Sequence, residues 1–155
     1  MDQHALEIAL ADLPIPAIRY FPALGSTNDA ASAWVYEGAP DGALVVADEQ
    51  TSGRGRGDRR WFTQSGMGLA FSMVITPPQM GGAHVMPRLT ALGAVAVRYA
   101  LQRNYNIIPQ IKWPNDVLIE RQKVAGVLAE AQWSGEQLKA AILGIGINVA
   151  AGAVS

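Results

Sequence analysis

An α+β domain, with a mixed and largely antiparallel sheet backed by helices, is predicted by three features of the sequence. Two segments carry a helical period and six carry strand character, in the order helix, strand, strand, helix and four strands. That order lacks the regular alternation of strand and helix that marks a doubly wound fold. The last two strands are separated only by Ser134-Gly135-Glu136, a hairpin turn. Half of the 155 residues are hydrophobic, enough for one buried core in one domain.

After a start broken by Pro14, Pro16 and Pro22, Gly25-Ser26-Thr27-Asn28-Asp29 opens the first helix. Ser26 or Thr27 can cap it, and Asp29 suits the positive end of its dipole. Ala30, Ala31, Trp34 and Val35 form its apolar stripe, and Gly38 with Pro40 stops it. Residues 43–49 read as a buried strand. Residues 51–66 mix glycine, serine and arginine without a helical or strand period and read as a loop. In 67–76, Met67, Leu69, Phe71, Met73 and Ile75 alternate with mostly small residues, giving a strand that Pro77-Pro78 ends. From His84 to about Asn104, the spacing of Val85, Leu89, Leu92, Ala96 and Tyr99 predicts an amphipathic helix with that stripe on the core. Strands are expected at 107–113, 117–120, 124–133 and 137–149. In the last of these Gly144, Gly146 and Asn148 share one face. Such a face either leaves an open slot or lets a helix pack closely.

Charge is scarce and unevenly placed. Charged residues make up 16% of the chain, against roughly 25% in a typical soluble domain. The net charge of −1 excludes the broad basic field of a non-specific nucleic-acid binder. Cysteine is absent, which removes disulfide scaffolds, zinc–thiolate sites and thiol nucleophiles. With His4 and His84 as the only histidines, a histidine metal cluster or a Ser-His-Asp triad is disfavoured. The acidic N-terminus does not read as a signal peptide and no run of 18 apolar residues occurs, so a cytoplasmic location is expected.

Two places concentrate the charge. In Gly53-Arg54-Gly55-Arg56-Gly57 the glycines let the backbone approach an anion, and guanidinium forks grip phosphate or carboxylate in pairs. The spacing is not that of a P-loop. The same residues suit a solvated loop or an Arg-Gly contact to RNA. Trp61 follows them and either stacks on a base or enters the core. In Lys112-Trp113-Pro114-Asn115-Asp116 a proline-locked turn holds Asn115 and Asp116, for backbone capping or for a ligand. Lys123 begins an apolar strand, and Gly126 beside it permits close approach of a ligand.

Five blocks occur in order: Ser26-Thr27-Asn28, the run from Glu49 to Arg56, Lys112-Trp113-Pro114-Asn115-Asp116, Lys123-Val124-Ala125-Gly126 and Gly144-Ile145-Gly146-Ile147-Asn148. Together, over about residues 18–149, they resemble the catalytic domain of the biotin protein ligases. The resemblance implies a fold like that of the class II aminoacyl-tRNA synthetases and biotin synthetases. It also implies ATP- and Mg2+-dependent activation of biotin to biotinyl-5′-AMP, with transfer to a lysine of a biotin carboxyl carrier protein. A lipoate-type ligase, or a fragment that binds biotin but is catalytically impaired, are the alternatives.

By that resemblance Ser26, Thr27, Asn28 and Gln50 would meet the ureido head of biotin. Gly53, Gly55 and Gly126 would line its slot. Arg54, Arg56 and Lys123 would hold the carboxylate and α-phosphate and form the catalytic set. Trp61, Asn115, Asp116 and Asn148 would serve the nucleotide, with Asp116 also toward Mg2+. Gly57-Asp58 departs from the family's usual pattern and leaves the role of Arg59 open. Residues 1–155 are expected to form one catalytic domain without the family's N-terminal DNA-binding domain or its small C-terminal β domain. No DNA or membrane partner is expected, and a homodimer fits family precedent.

Overall fold

The computed structural model describes residues 2–76, 83–150, 152 and 153. Its elements are α1 (Gln3–Ala9), β1 (Ile18–Leu24), α2 (Thr27–Tyr36), β2 (Leu44–Arg54), β3 (Arg60–Thr63), β4 (Gly68–Ile75), α3 (Met86–Tyr105), β5 (Gln110–Lys112), β6 (Asp116–Ile119), β7 (Gln122–Ser134) and β8 (Gln137–Asn148). A turn of 3-10 helix at Ala83–Val85 leads into α3. The strands form one sheet in the order β1-β2-β4-β8-β7-β6-β5, with β3 paired to the end of β2. Every pairing is antiparallel except β1 with β2, which the α2 crossover makes parallel. This is the mixed α+β sheet expected, with helices on both faces.

Strand alternation assigns the two faces. Val45, Val74 and Ile142 point to one face, where Ala31 and Trp34 of α2 cover them. Leu143, Ile145 and Val127 point to the other, against Ala94 and Val97 of α3. Leu44 and Val46 meet Leu6 of α1 on that same second face. Ile142, Val45, Val74, Val117 and Val127 are among the most deeply buried side chains.

Four differences from the sequence reading have physical causes. First, α1 and β1 precede the first expected helix. Pro22 lies inside β1 and is tolerated because β1 is an edge strand, paired on one side only. Second, residues 51–66 are not all loop. β2 continues to Arg54, and β3 folds back so that Gly53 pairs with Trp61 and Arg54 with Arg60. This hairpin hangs beyond the main sheet, so it never acquires an alternating apolar face. Third, α3 buries a different face. Thr90, Gly93, Ala94 and Val97 are buried, whereas Leu92 and Tyr99 of the expected stripe are 60% and 58% exposed. A Cβ on Gly93 would lie 2.8 Å from Val127 Cγ1, so small residues rather than large ones let this helix close on the sheet. Fourth, Ser26 occupies the N-cap position of α2, yet its side chain makes no capping bond. The remaining strands and the turn at Gly135 (φ 58°) lie where expected to within a few residues. Pro77-Pro78 lies outside the described residues.

Candidate active site

The expected glycine face is real and sits on the α2 side of the sheet. Gly146 on β8 pairs directly with Gly126 on β7 and with Ala70 on β4, and Gly144 pairs with Ser72. The indole of Trp61 lies on this floor. A Cβ on Gly146 would meet the ring at 2.3 Å and one on Gly126 at 3.0 Å. Trp61 Nε1 donates to Thr63 Oγ1 at 3.1 Å, which orients the ring from within β3. The floor and Trp61, with Thr27, Gln50 and Asn115 around them, enclose a slot of about 40 Å3, room for a few water molecules.

Uncharged hydrogen-bonding groups, all buried, form the head of the slot. Gln50 Oε1 accepts from the Thr27 backbone N–H at 2.8 Å and from Thr27 Oγ1 at 3.0 Å. With its carbonyl end saturated from α2, Gln50 keeps the amide Nε2 as its donor end, packed over Gly53. A side chain at Gly53 would meet Gln50 Nε2 at 2.0 Å, so that position accepts only glycine. Ser72, fully buried on β4, lies 2.8 Å from Thr27 Oγ1 and 2.6 Å from Asn28 Oδ1. Asn28 Nδ2 donates to Glu130 Oε2 at 2.5 Å. Asn28 therefore has both ends of its amide bound within the protein and stands over Gly144, where its Oδ1 would be 2.2 Å from a Cβ.

At the other end of the slot stands Lys123. Its ammonium is 2.8 Å from Asp116 Oδ1 and 5.3 Å from the centre of the Trp61 ring. Asp116 Oδ1 is buried and has no hydrogen bond of good geometry, so Lys123 is its counter-charge. Asn148 Nδ2 donates to the Lys123 carbonyl at 3.2 Å. This contact ties β8 to β7 beside Lys123. Beyond Asp116 opens a second, wider cleft of about 350 Å3, lined by Arg56, Arg59, Lys112, Trp113, Asn115 and Asp116. Asn115 lines both spaces and forms the wall between them. Three cations against one carboxylate give this cleft a net positive charge, and its volume falls in the range of small-molecule pockets.

Arg54 lines the slot, and its charge is met within the protein. Its guanidinium is held by Asp29 at 2.6 and 2.9 Å and by Glu130 at 3.0 and 3.2 Å. Hydrogen bonds donated to Asp29 first and Glu130 second raise its pKa above the ordinary arginine value. Arg56, two residues on, lines the cleft instead. Ser72, Asp29 and Glu130 are the functional neighbours that sequence reasoning missed. Glu130 left one trace, an acid in the middle of an otherwise apolar stretch of strand.

The fold thus sets two adjoining spaces side by side, a slot with an uncharged head and a cationic cleft. The chain belongs to the biotin/lipoate A/B protein ligase family, whose sequence profile matches residues 20–148. Within that family it is similar to biotin ligases. It is 42% identical over 130 residues to the bifunctional ligase/repressor BirA of Bacillus subtilis, covering 84% of this chain and 39% of that one. It is 40% identical to the biotin–[acetyl-CoA-carboxylase] ligase of Paracoccus denitrificans, covering 73% and 47% respectively. Among solved structures, the biotin protein ligase from Aquifex aeolicus in complex with biotin and ATP superposes with a TM-score of 0.75 at 33% identity, over 90% of this chain and 55% of that one. The chain thus spans about half or less of these relatives' length. No helix among the described residues is long and apolar enough to cross a membrane.

Proposed function

We propose that this domain activates biotin with ATP to biotinyl-5′-AMP, releasing pyrophosphate, and passes the biotinyl group to a lysine amine of a biotin carboxyl carrier protein. The observation that carries this reading is the join between the two spaces. A slot with a polar but uncharged head ends at Lys123, and directly beyond lies a cleft with Arg56, Arg59 and Lys112. The head suits a ureido group. Gln50 offers N–H donors to the ureido oxygen, and the Ser26 and Thr27 hydroxyls supply further partners among buried groups, where hydrogen bonds discriminate most strongly.

The acid end of the ligand then reaches Lys123. When its carboxylate oxygen attacks the α-phosphate, charge builds on the phosphoryl oxygens while pyrophosphate departs, and fixed cations lower that barrier. Lys123, held ready by Asp116, serves the carboxylate and α-phosphate. Arg56 and Lys112 face the leaving phosphates. Gly53, Gly55 and Gly126 leave room along the slot, and Gly126 with Gly146 gives the ring system a flat floor. In the second step the acceptor amine attacks the acyl carbon and AMP leaves with the bonding electrons.

Mg2+ fits this site only as an ion that arrives with ATP. Among the described residues no three acidic or histidine side chains stand together as a metal cage. Mg2+ is commonly held by one or two carboxylates plus substrate phosphates. Asp116, beside Asn115, is the buried carboxylate placed to take it; the ion would neutralise phosphate charge.

Trp61 occupies the space above the glycine floor, so entry of a bicyclic ligand requires this ring and the 55–59 hairpin tip to lift. The decisive experiment is biotin-dependent exchange of pyrophosphate into ATP, with Lys123→Ala lowering it about hundredfold. Absence of biotin binding by calorimetry, with and without ATP, would overturn the proposal. Thermal stabilisation by lipoate in place of biotin would redirect it to the other branch of the family.

A further inference from the structure

The group that the reaction above leaves unused is Glu130. It projects from β7 and makes three hydrogen bonds with two side chains from different elements. Its Oε2 accepts from Asn28 Nδ2 of α2 at 2.5 Å and from Arg54 Nη2 at 3.0 Å, and its Oε1 accepts from Arg54 Nε at 3.2 Å. Asp29 of α2 takes Arg54 Nη1 and Nη2 at 2.9 and 2.6 Å. Four of the five guanidinium N–H groups of Arg54 are therefore committed within the protein.

In the sheet, β2 and β7 are not neighbours; β4 and β8 lie between them. The Arg54–Glu130 contact is thus a bridge over the β8 strand that carries Gly144 and Gly146. Arg54 is also the last residue of β2, so whatever holds it holds the root of the hairpin tip that carries Arg56 and, on the return strand, Trp61.

We infer that Glu130 is a positioning residue: with Asp29 it fixes the Arg54 guanidinium as the root of the 55–59 hairpin, and through Asn28 it sets the head of the slot. The inference rests on the proposed biotin-activating reading for its catalytic consequence, while the clamp itself is independent of any ligand. Arg54 is a strut, and Arg56 is left as the arginine that meets the anion. Two carboxylates on one arginine also make the clamp selective for Arg over Lys, because an ammonium cannot serve two forks in one plane.

The test uses two variants, Glu130→Gln and Arg54→Gln, and their double mutant. A glutamine at 130 keeps a carbonyl for Asn28 but loses the charge for Arg54. In ligand-free protein, trypsin cleavage after Arg56 reads opening of the hairpin. Each single variant is expected to speed that cleavage about three- to tenfold, as for loss of a networked ion pair, with the double no faster than the faster single. Unchanged cleavage in Glu130→Gln, or a double equal to the product of the singles, would overturn the clamp.

Pyrophosphate exchange supplies the second arm. Glu130→Gln is expected to raise the biotin KM about tenfold with kcat within about twofold of wild type, since a misplaced slot weakens binding and leaves Lys123 in position. A fall in kcat at unchanged KM would mean simple loss of folded protein and would refute the positioning role. If the wild-type chain binds no biotin, the functional reading fails, and the cleavage arm alone still decides the clamp.

Discussion

Arg54 and Arg56 stand two residues apart in one glycine-spaced run, yet the fold gives them opposite surroundings. Arg54 is pinned by Asp29 and Glu130, while Arg56 lines an open cleft with Arg59 and Lys112. The same contrast separates the two spaces they border. The slot is narrow, uncharged at its head and floored by glycines; the cleft is wide, open and cationic. One is built to discriminate by shape and hydrogen bonding, the other to hold charge. An arginine's sequence neighbours do not reveal which of the two it serves, because that depends on which carboxylates the sheet brings across to it.

Filling the slot should separate the two spaces most sharply. Gly146→Val places methyl groups where the Trp61 ring now lies, and overpacking of this kind should weaken biotin binding about hundredfold while ATP binding shifts less than about twofold. Calorimetry with each ligand checks this, and equal losses for both would merge the two spaces into one site. Lys123→Ala comes next. It should lower pyrophosphate exchange about hundredfold with biotin affinity within about threefold of wild type. Loss of biotin binding in proportion would mean that Lys123 acts by holding biotin and not by stabilising the transition state.

Ser72→Ala tests the polar head from beneath. The hydroxyl is fully buried and supports Thr27 and Asn28, so its removal should cost about 1–3 kcal/mol in urea denaturation and weaken biotin with it. A neutral result would show that Gln50 alone fixes Thr27. Arg56→Ala should leave thermal stability unchanged within about 1 °C, yet flatten the salt dependence of ATP binding, because an exposed cation contributes to the field and little to folding. A drop in melting temperature would place Arg56 with Arg54 as a strut.

The smallest expected effect lies far from both spaces, on the α1 side. The Tyr20 hydroxyl donates to Asp48 Oδ2 at 2.6 Å. That bond, then desolvation, then the Asp48 charge push its pKa up to about 12 from 10.0. A raised folded-state pKa means the contribution is complete below pH 10 and is lost as pH climbs from 10 toward 12. Melting curves across that window should fall more steeply for wild type than for Tyr20→Phe; parallel curves would remove Tyr20 as the cause.

Much of the site was legible because its chemistry depends on residue types at short spacing. Gly144, Gly146 and Asn148 declare a shared face through strand alternation alone, and the proline-locked turn announces Asn115 and Asp116. The hairpin within 51–66 is hidden because its strands pair at the sheet's end and bury isolated residues, Gly53, Thr63 and part of Trp61, without an alternating apolar face. The buried face of α3 was misread for a related reason. Periodicity finds the large apolar residues, whereas close packing on Val127 selects the small ones, Gly93 and Ala94.

By itself, then, the sequence determined the α+β class, most strand positions, the glycine floor and the set of side chains that gather near Lys123. These rest on local rules of period, turn chemistry and backbone freedom. Only the tertiary structure decided which of those side chains are free. Thr27 is tied to Gln50, Asn28 to Ser72 and Glu130, Lys123 to Asp116 and Arg54 to two acids. Each of these partners comes from a different element, up to 102 residues away. A charge or an amide finds its partner through space, and chain spacing carries no record of that distance.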